Sequence, residues 1–237
     1  FDHAVALMRE HILPSARLHR VIKAGGVAAN VIPDYTKVQY FVRDETGARV
    51  RGMLDRLRKA AEGAALATET RSQVTVRAAT REPLYNEALS RVLQAELDKV
   101  GAPVWDAADV ELAQAIQKEV GVAAQGLSST ILPLVPGHGA SASSDVGETS
   151  AVVPLAELAV ATRPQGTPAH HWAQTASAGH AIGKKGMMVA AKTLAGALRA
   201  LLSTPDLVRS ARAEFARSTA DSPYQTPLAK DAVPESW

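Results

Sequence analysis

A chain of 237 residues, 46% of them hydrophobic, is long enough to bury a substantial core as one large domain or two smaller ones. Its net charge of +2, with acids and bases interspersed and no basic block, lacks the electrostatic footprint of a nucleic-acid binder. The absence of cysteine excludes a disulfide scaffold, a thiolate metal site and a cysteine nucleophile, and fits a cytoplasmic protein.

No apolar run approaches the roughly 20 residues of a membrane-spanning helix, and no signal-peptide pattern opens the chain. The chain starts at Phe1, already inside a helical pattern of Ala4, Leu7, Met8, His11 and Ile12. The expectation is therefore a piece of a longer polypeptide. This first helix is predicted to stop at Pro14. Arg17 to Lys23 reads as a strand, with Leu18 and Ile22 on one side. After Ala24-Gly25-Gly26 and residues 27–32, Pro33-Asp34 turns the chain. The two glycines provide freedom for a turn or bulge. Residues 36–43 alternate as a second strand, with Val38, Tyr40 and Val42 on one face. A stripe through Val50, Met53, Leu54, Leu57, Ala60, Ala61, Ala64 and Ala65 predicts an amphipathic helix over 49–66. Val74, Val76 and Ala78 predict a third strand over 72–78. This order describes a small α+β sandwich, helices on one face of an antiparallel sheet, ending near Glu82-Pro83.

Beyond residue 85 the pattern changes. A helix over 86–100 stops at Gly101, and Asp106 caps a second one running to about Val120. Residues 121–144 are rich in Gly, Ser and Pro and read as a functional loop. Short apolar runs at Val152-Val153 and 158–161 are strand candidates. A long helix is predicted over 178–203. Thr204-Pro205 then starts a final helix to about Arg217, followed by an extended tail.

Potential chemistry concentrates between Gly137 and Trp172. Here stand Gly137-His138-Gly139, Ser143-Ser144-Asp145-Val146-Gly147-Glu148 and Thr167-Pro168-Ala169-His170-His171-Trp172. Carboxylate and imidazole are the usual oxygen and nitrogen ligands of zinc and related ions. On residue types alone the stretch is either a metal or polar active site or a surface loop with two partly buried histidines.

The segment Gly25-Gly26-Val27-Ala28-Ala29-Asn30-Val31-Ile32-Pro33-Asp34, followed by Tyr40-Phe41-Val42-Arg43, resembles the co-catalytic metal amidohydrolases, a family that includes aminoacylases and carboxypeptidase G. Ser143 to Ser150, Gly166 to His170, Lys185-Gly186-Met187 and Ser222-Pro223-Tyr224 resemble its p-aminobenzoyl-glutamate hydrolase branch.

The resemblance implies a two-domain α/β enzyme of which this chain is the C-terminal portion. Residues 1–82 would be a helix-on-antiparallel-sheet lid or dimerisation domain. Residues 83–237 would be part of a mixed-sheet, metal-binding catalytic domain. It further implies hydrolysis of the amide bond between an acyl or aroyl group and an amino acid, with two divalent ions, zinc or manganese, and a homodimer through the lid. His170 would be a metal ligand, against the plainer reading of a satisfied loop histidine. Asn30 would donate to the developing oxyanion, against an ordinary turn asparagine. Arg43 would bind the substrate carboxylate, against an edge-strand charge. Ser144 and Asp145 would line the pocket, against a helix or turn cap. His138 would reach substrate, against an exposed loop residue. The competing expectations are a non-catalytic dimerising or ligand-binding chain, and the same chemistry on N-acyl amino acids or dipeptides.

Overall fold

The computed structural model describes residues 1–135, 144–221, 224–226 and 228. The fold is mixed α/β, and the chain divides into two compact units: residues 1–82 with 144–148, and residues 83–135 with 149–221.

In the first unit, helix α1 (Asp2–Arg9) leads into strand β1 (Arg17–Ala24), which pairs antiparallel with β2 (Lys37–Arg43). The ladder runs from Arg17 opposite Arg43 to Ala24 opposite Lys37, with an irregularity between Ile22 and Ala24. Gly26, at φ 104°, turns the chain out of β1 in a conformation that favours glycine. Helix α2 (Gly47–Ala67) comes next, with the Thr46 hydroxyl accepting from the Arg49 amide at its start. Alternation sends Leu18, Tyr40 and Val42 to one face of the sheet. There they close a core with Val5 and Met8 of α1, Ala16, and Met53 and Leu57 of α2. Burying a side chain such as Leu18 contributes about 2 kcal/mol.

In the second unit, α3 (Glu87–Val100) packs on α7 (Ala181–Ser203) and α8 (Pro205–Thr219), and α4 (Ala107–Val120) on α6 (Trp172–Gly179). Val92, Leu93 and Ala197 centre the apolar cluster. Asn86 caps α3 by accepting from the Leu89 amide, and its own amide donates to the Ala211 carbonyl. Both Glu214 carboxylate oxygens accept from the first amides of the helix, at Glu87 and Ala88. The short helix α5 (Val146–Ser150) precedes a single parallel bridge between Tyr85 and Leu155.

Several expectations are corrected. Residues 72–78 form no strand: the alternation is present, but no ladder supplies partners for their backbone groups. Val152 and Val153 lie in a turn after α5, both amides donating to the Thr149 carbonyl, and 158–161 is likewise not a strand. The first helix ends at Arg9, before Pro14. The helix predicted over 178–203 is present but starts at Ala181, and a separate, unpredicted helix precedes it over Trp172–Gly179. His180 has extended backbone (φ −97°, ψ −177°) and serves as C-cap of α6 and N-cap of α7.

At Gly186, α7 lies tight against the backbone of residues 161–162. A methyl group built there would stand 2.2 Å from the Ala161 carbonyl oxygen and 2.8 Å from Thr162 Cγ2. Gly186→Ala should therefore lower stability by about 2–3 kcal/mol, roughly 4–12 °C in Tm. Gly63 lies exposed in α2 with nothing within 4 Å of such a methyl, and is the control. Gly63→Ala should raise stability by about 0.5–1 kcal/mol through helix propensity. Thermal denaturation of the two variants checks the contrast.

Candidate functional site

The sheet of the first unit has one closed and one open face. On the open face the ladder sets Arg17 opposite Arg43, His19 opposite Phe41 and Val21 opposite Gln39. All of these but Gln39, which is half-buried, are exposed. The Arg43 guanidinium lies over the Phe41 ring, 5.5 Å from its centroid, a cation–π contact. Arg43 is the last residue of β2, and its neighbour Asp44 pins that end of the strand. Asp44 Oδ1 accepts from the Ser15 hydroxyl and the Glu45 amide, both at 2.8 Å, and Arg49 stands 3.7 Å away. Burial pushes the Asp44 carboxyl up, but the Glu45 amide, the Ser15 hydroxyl and Arg49 outweigh it and hold the group below the usual carboxylate range.

Asn30 sits at the corner of the loop joining β1 to β2, where the Val31 amide donates to the Ala28 carbonyl at 3.2 Å. Its amide is exposed and makes no side-chain hydrogen bond among the described residues. Val27 and Ile32 in the same loop are 99% and 93% exposed, so the loop presents apolar surface around a free amide.

Ser144 and Asp145 are both exposed and open α5. Ser144 Oγ accepts from the Val146 amide at 3.2 Å and donates to Asp145 Oδ1 at 3.3 Å. Their visible work is capping a short helix. His138 lies outside the described residues.

His170 belongs to the second unit and stands on a supported segment. Buried Gln117 of α4 accepts from the Gly126 amide (3.1 Å) and donates to the carbonyls of Gly126 (3.3 Å) and Gln165 (2.9 Å). The Gln165 amide returns a bond to the Gly126 carbonyl at 2.9 Å. Thr167 is buried and closes a turn through its hydroxyl to the Pro164 carbonyl, at 2.7 Å. On the other side, His171 N-caps α6, its Nδ1 accepting from the Ala173 amide at 3.3 Å. His171 also packs against Trp172, their ring centroids 5.4 Å apart.

Between these anchors His170 adopts φ 56°, a left-handed conformation that costs a non-glycine residue about 1 kcal/mol. Its ring is exposed and makes no hydrogen bond among the described residues. A fixed backbone presenting an uncommitted imidazole suits a ligand or proton-transfer group. Among the described residues no three His, Asp or Glu side chains come together as a metal-binding group. His170 by itself offers one coordination bond, so the described residues do not make up a metal centre.

Sequence reasoning missed three further groups. Gln117 gives no local signal, because its role is to satisfy backbone from distant segments. Arg17 is placed only by strand register. Lys185 of α7 bonds both carboxylates of the α4 capping box, reaching Asp106 Oδ2 at 2.8 Å and also Asp109 Oδ2. The Asp-x-x-Asp spacing of that box and the Lys185-Gly186-Met187 segment are visible in the sequence; their pairing is not. Asp109 is 1% exposed, so the lysine meets a carboxylate that has left water. The hydrogen bond from Lys185 holds the Asp106 carboxyl below its ordinary range, and the bond to Asp106 raises the Lys185 ammonium above its own.

No protein-family model matches the chain. It is similar to a protein named as a subunit of p-aminobenzoyl-glutamate hydrolase, from Escherichia coli (strain K12), with 29% identity over 254 aligned residues. The alignment covers 96% of this chain and 53% of that protein, so the chain spans about half the length of the curated relative it matches. No helix among the described residues is long and apolar enough to cross a membrane.

The Lys185 clamp predicts a pH signature. Asp106 is depressed, so its contribution is present above the ordinary aspartate value of about 3.9 and is lost as pH falls through the lower, folded value. Lys185 is raised, so its contribution is present below about 10.4 and is lost as pH climbs through the higher, folded value. Lys185→Met should lower Tm at neutral pH and flatten both limbs of the Tm–pH curve. Melting curves from about pH 2.5 to about pH 11 measure this, a span that brackets both ordinary values; an unchanged acid limb in the variant would contradict the assignment.

Proposed function

We propose that this chain is part of a hydrolase that cleaves the amide bond between an aroyl group and an amino acid, in the manner that the name of its relative describes. One observation carries the reading: the alignment with that relative extends over 96% of the chain, across both compact units. Hydrolysis of such an amide needs a cationic donor to the substrate's carboxylate, a donor to the carbonyl oxygen as charge grows on it, and an activated water. Arg43 is the group that donates to the substrate's carboxylate, its end of β2 fixed by the Asp44 clamp. Asn30 is the donor, because its exposed side-chain amide is uncommitted. His170 is assigned as one ligand of a divalent ion, with the rest of the set outside the described residues. Zinc or manganese would supply Lewis-acid polarisation and a water of lowered pKa when bound. Ser144 and Asp145 are assigned to the pocket lining, beyond the capping they perform. The protein would act as a homodimer, since among the described residues each strand of the two-stranded sheet has an unpaired outer edge that a second copy can cover.

A second reading, a ligand-binding chain without catalysis of its own, is favoured by the absence of a three-ligand group among the described residues.

Kinetics separate the assigned roles. With p-aminobenzoyl-glutamate as substrate, Asn30→Ala should reduce kcat by about 100-fold with little change in KM, as loss of an oxyanion donor does. Arg43→Gln should act mainly on KM, raising it by about tenfold or more through loss of a charged hydrogen bond. Release of p-aminobenzoate, monitored chromatographically, is the readout. Hydrolysis untouched by both substitutions would overturn the assignment, and no hydrolysis under zinc or manganese supplementation would favour the second reading.

A further inference from the structure

We infer that Arg17 and Arg43 together form a two-guanidinium site on the open face of the sheet, which selects a ligand carrying two carboxylates, with Arg17 as the specificity-determining residue. This rests on the hydrolase reading for the identity of the ligand and on the ladder for its geometry.

The two arginines are directly opposite each other in the antiparallel register. Side chains so placed have Cβ atoms about 5 Å apart on the same face, and like charges there are destabilising. A fold with no use for the pair would gain by replacing either one. Among the described residues, neither guanidinium meets a carboxylate within ion-pair distance, whereas Arg20 pairs with Asp2, Arg49 with Asp44 and Glu45, and Arg58 with Asp55. The repulsion is thus left uncompensated by the described residues.

The two groups are also anchored in opposite directions along the strands. Arg17 Nη1 donates to the Pro14 and Ala16 carbonyls, at 2.5 and 2.7 Å, which draws it toward the start of β1. Arg43 lies back over Phe41, two residues into β2 and opposite His19. Holding like charges apart in this way suits two separate anionic groups better than one shared between both. Each arginine keeps donors free for a planar carboxylate, which a guanidinium binds in bidentate fashion. Phe41 and His19 add flat rings to the same face, against which an aroyl group can pack. The chemistry that fits is an N-aroyl amino acid with a second carboxylate on its side chain. Arg43 takes one carboxylate, and Arg17 distinguishes the diacid from a neutral side chain.

Binding of N-(4-aminobenzoyl)-L-glutamate and N-(4-aminobenzoyl)-L-alanine to the 237-residue chain, measured by titration calorimetry at low salt, tests this. The wild type should favour the glutamate compound by about tenfold, the scale of one bidentate charged contact. Arg17→Gln should bring the ratio to about one without weakening the alanine compound, and Arg43→Gln should weaken both. Each variant removes a like-charge pair along with an exposed contact of its arginine, so both should melt cooperatively with Tm close to the wild type, and loss of folding is distinguishable from loss of selectivity. A wild type without preference, or an Arg17→Gln variant that keeps it, overturns the inference. The hydrolase reading fails separately: selective binding without amide cleavage sinks that reading and leaves this site standing.

Discussion

The register of the β1–β2 ladder is the constraint on which the first unit depends. Leu18 fixes it. Its side chain is buried with Met53 and Leu57 of α2, and its neighbour Arg17 is exposed on the other face. A slip by one residue would send Leu18 to water and drive Arg17 or His19 into the core. Neither exchange is tolerable: the first forfeits the apolar burial, and the second buries a polar or charged group without a partner. Packing on the closed face therefore dictates which side chains appear on the open one. The Asp44 clamp then fixes where β2 ends. Through these two devices hydrophobic burial sets the positions of charged groups that contribute nothing to the core.

The second unit achieves the same end by hydrogen bonding. Its segment 165–171 has no regular secondary structure until α6 begins, so neither ladder nor helix holds it. Gln117 takes the place of a ladder by satisfying three backbone groups from inside the unit. The Thr167 turn and the His171 cap complete the support. Support of this kind can sustain an unfavourable backbone angle at one residue, and that residue is His170. Strain carried by an exposed imidazole, between elements that over-determine its position, is the pattern expected where side-chain placement matters more than local stability.

How legible this was depended on the range of the interactions. Helices α2, α3 and α4 could be read because their signals are local: an apolar stripe, a capping Asp106, a terminating Gly101. Thr204-Pro205 was equally plain, with the proline in the first turn of α8. The break at His180 was not, because apolar periodicity runs through it and histidine is no helix breaker. Strands were over-read at 72–78 and 158–161, since alternation or apolarity describes one chain while a strand needs two. Asn30, Arg43 and His170 drew attention as motif residues. That Arg43 faces Arg17, that Lys185 spans Asp106 and Asp109, and that Gln117 underpins Gln165 are contacts between positions far apart in sequence. Periodicity and capping rules carry no information about such pairs.

On the proposed function, the imidazole at 170 is held in a strained conformation for the sake of amide hydrolysis. The most direct measurement replaces His170 by glycine, which accepts the same backbone angle, and records release of p-aminobenzoate from p-aminobenzoyl-glutamate alongside Tm. Tm should stay level or rise slightly while release falls by at least about 1,000-fold, the scale expected when a group essential to the reaction is lost. Release that persists near the wild-type rate in a well-folded His170→Gly variant would contradict that role.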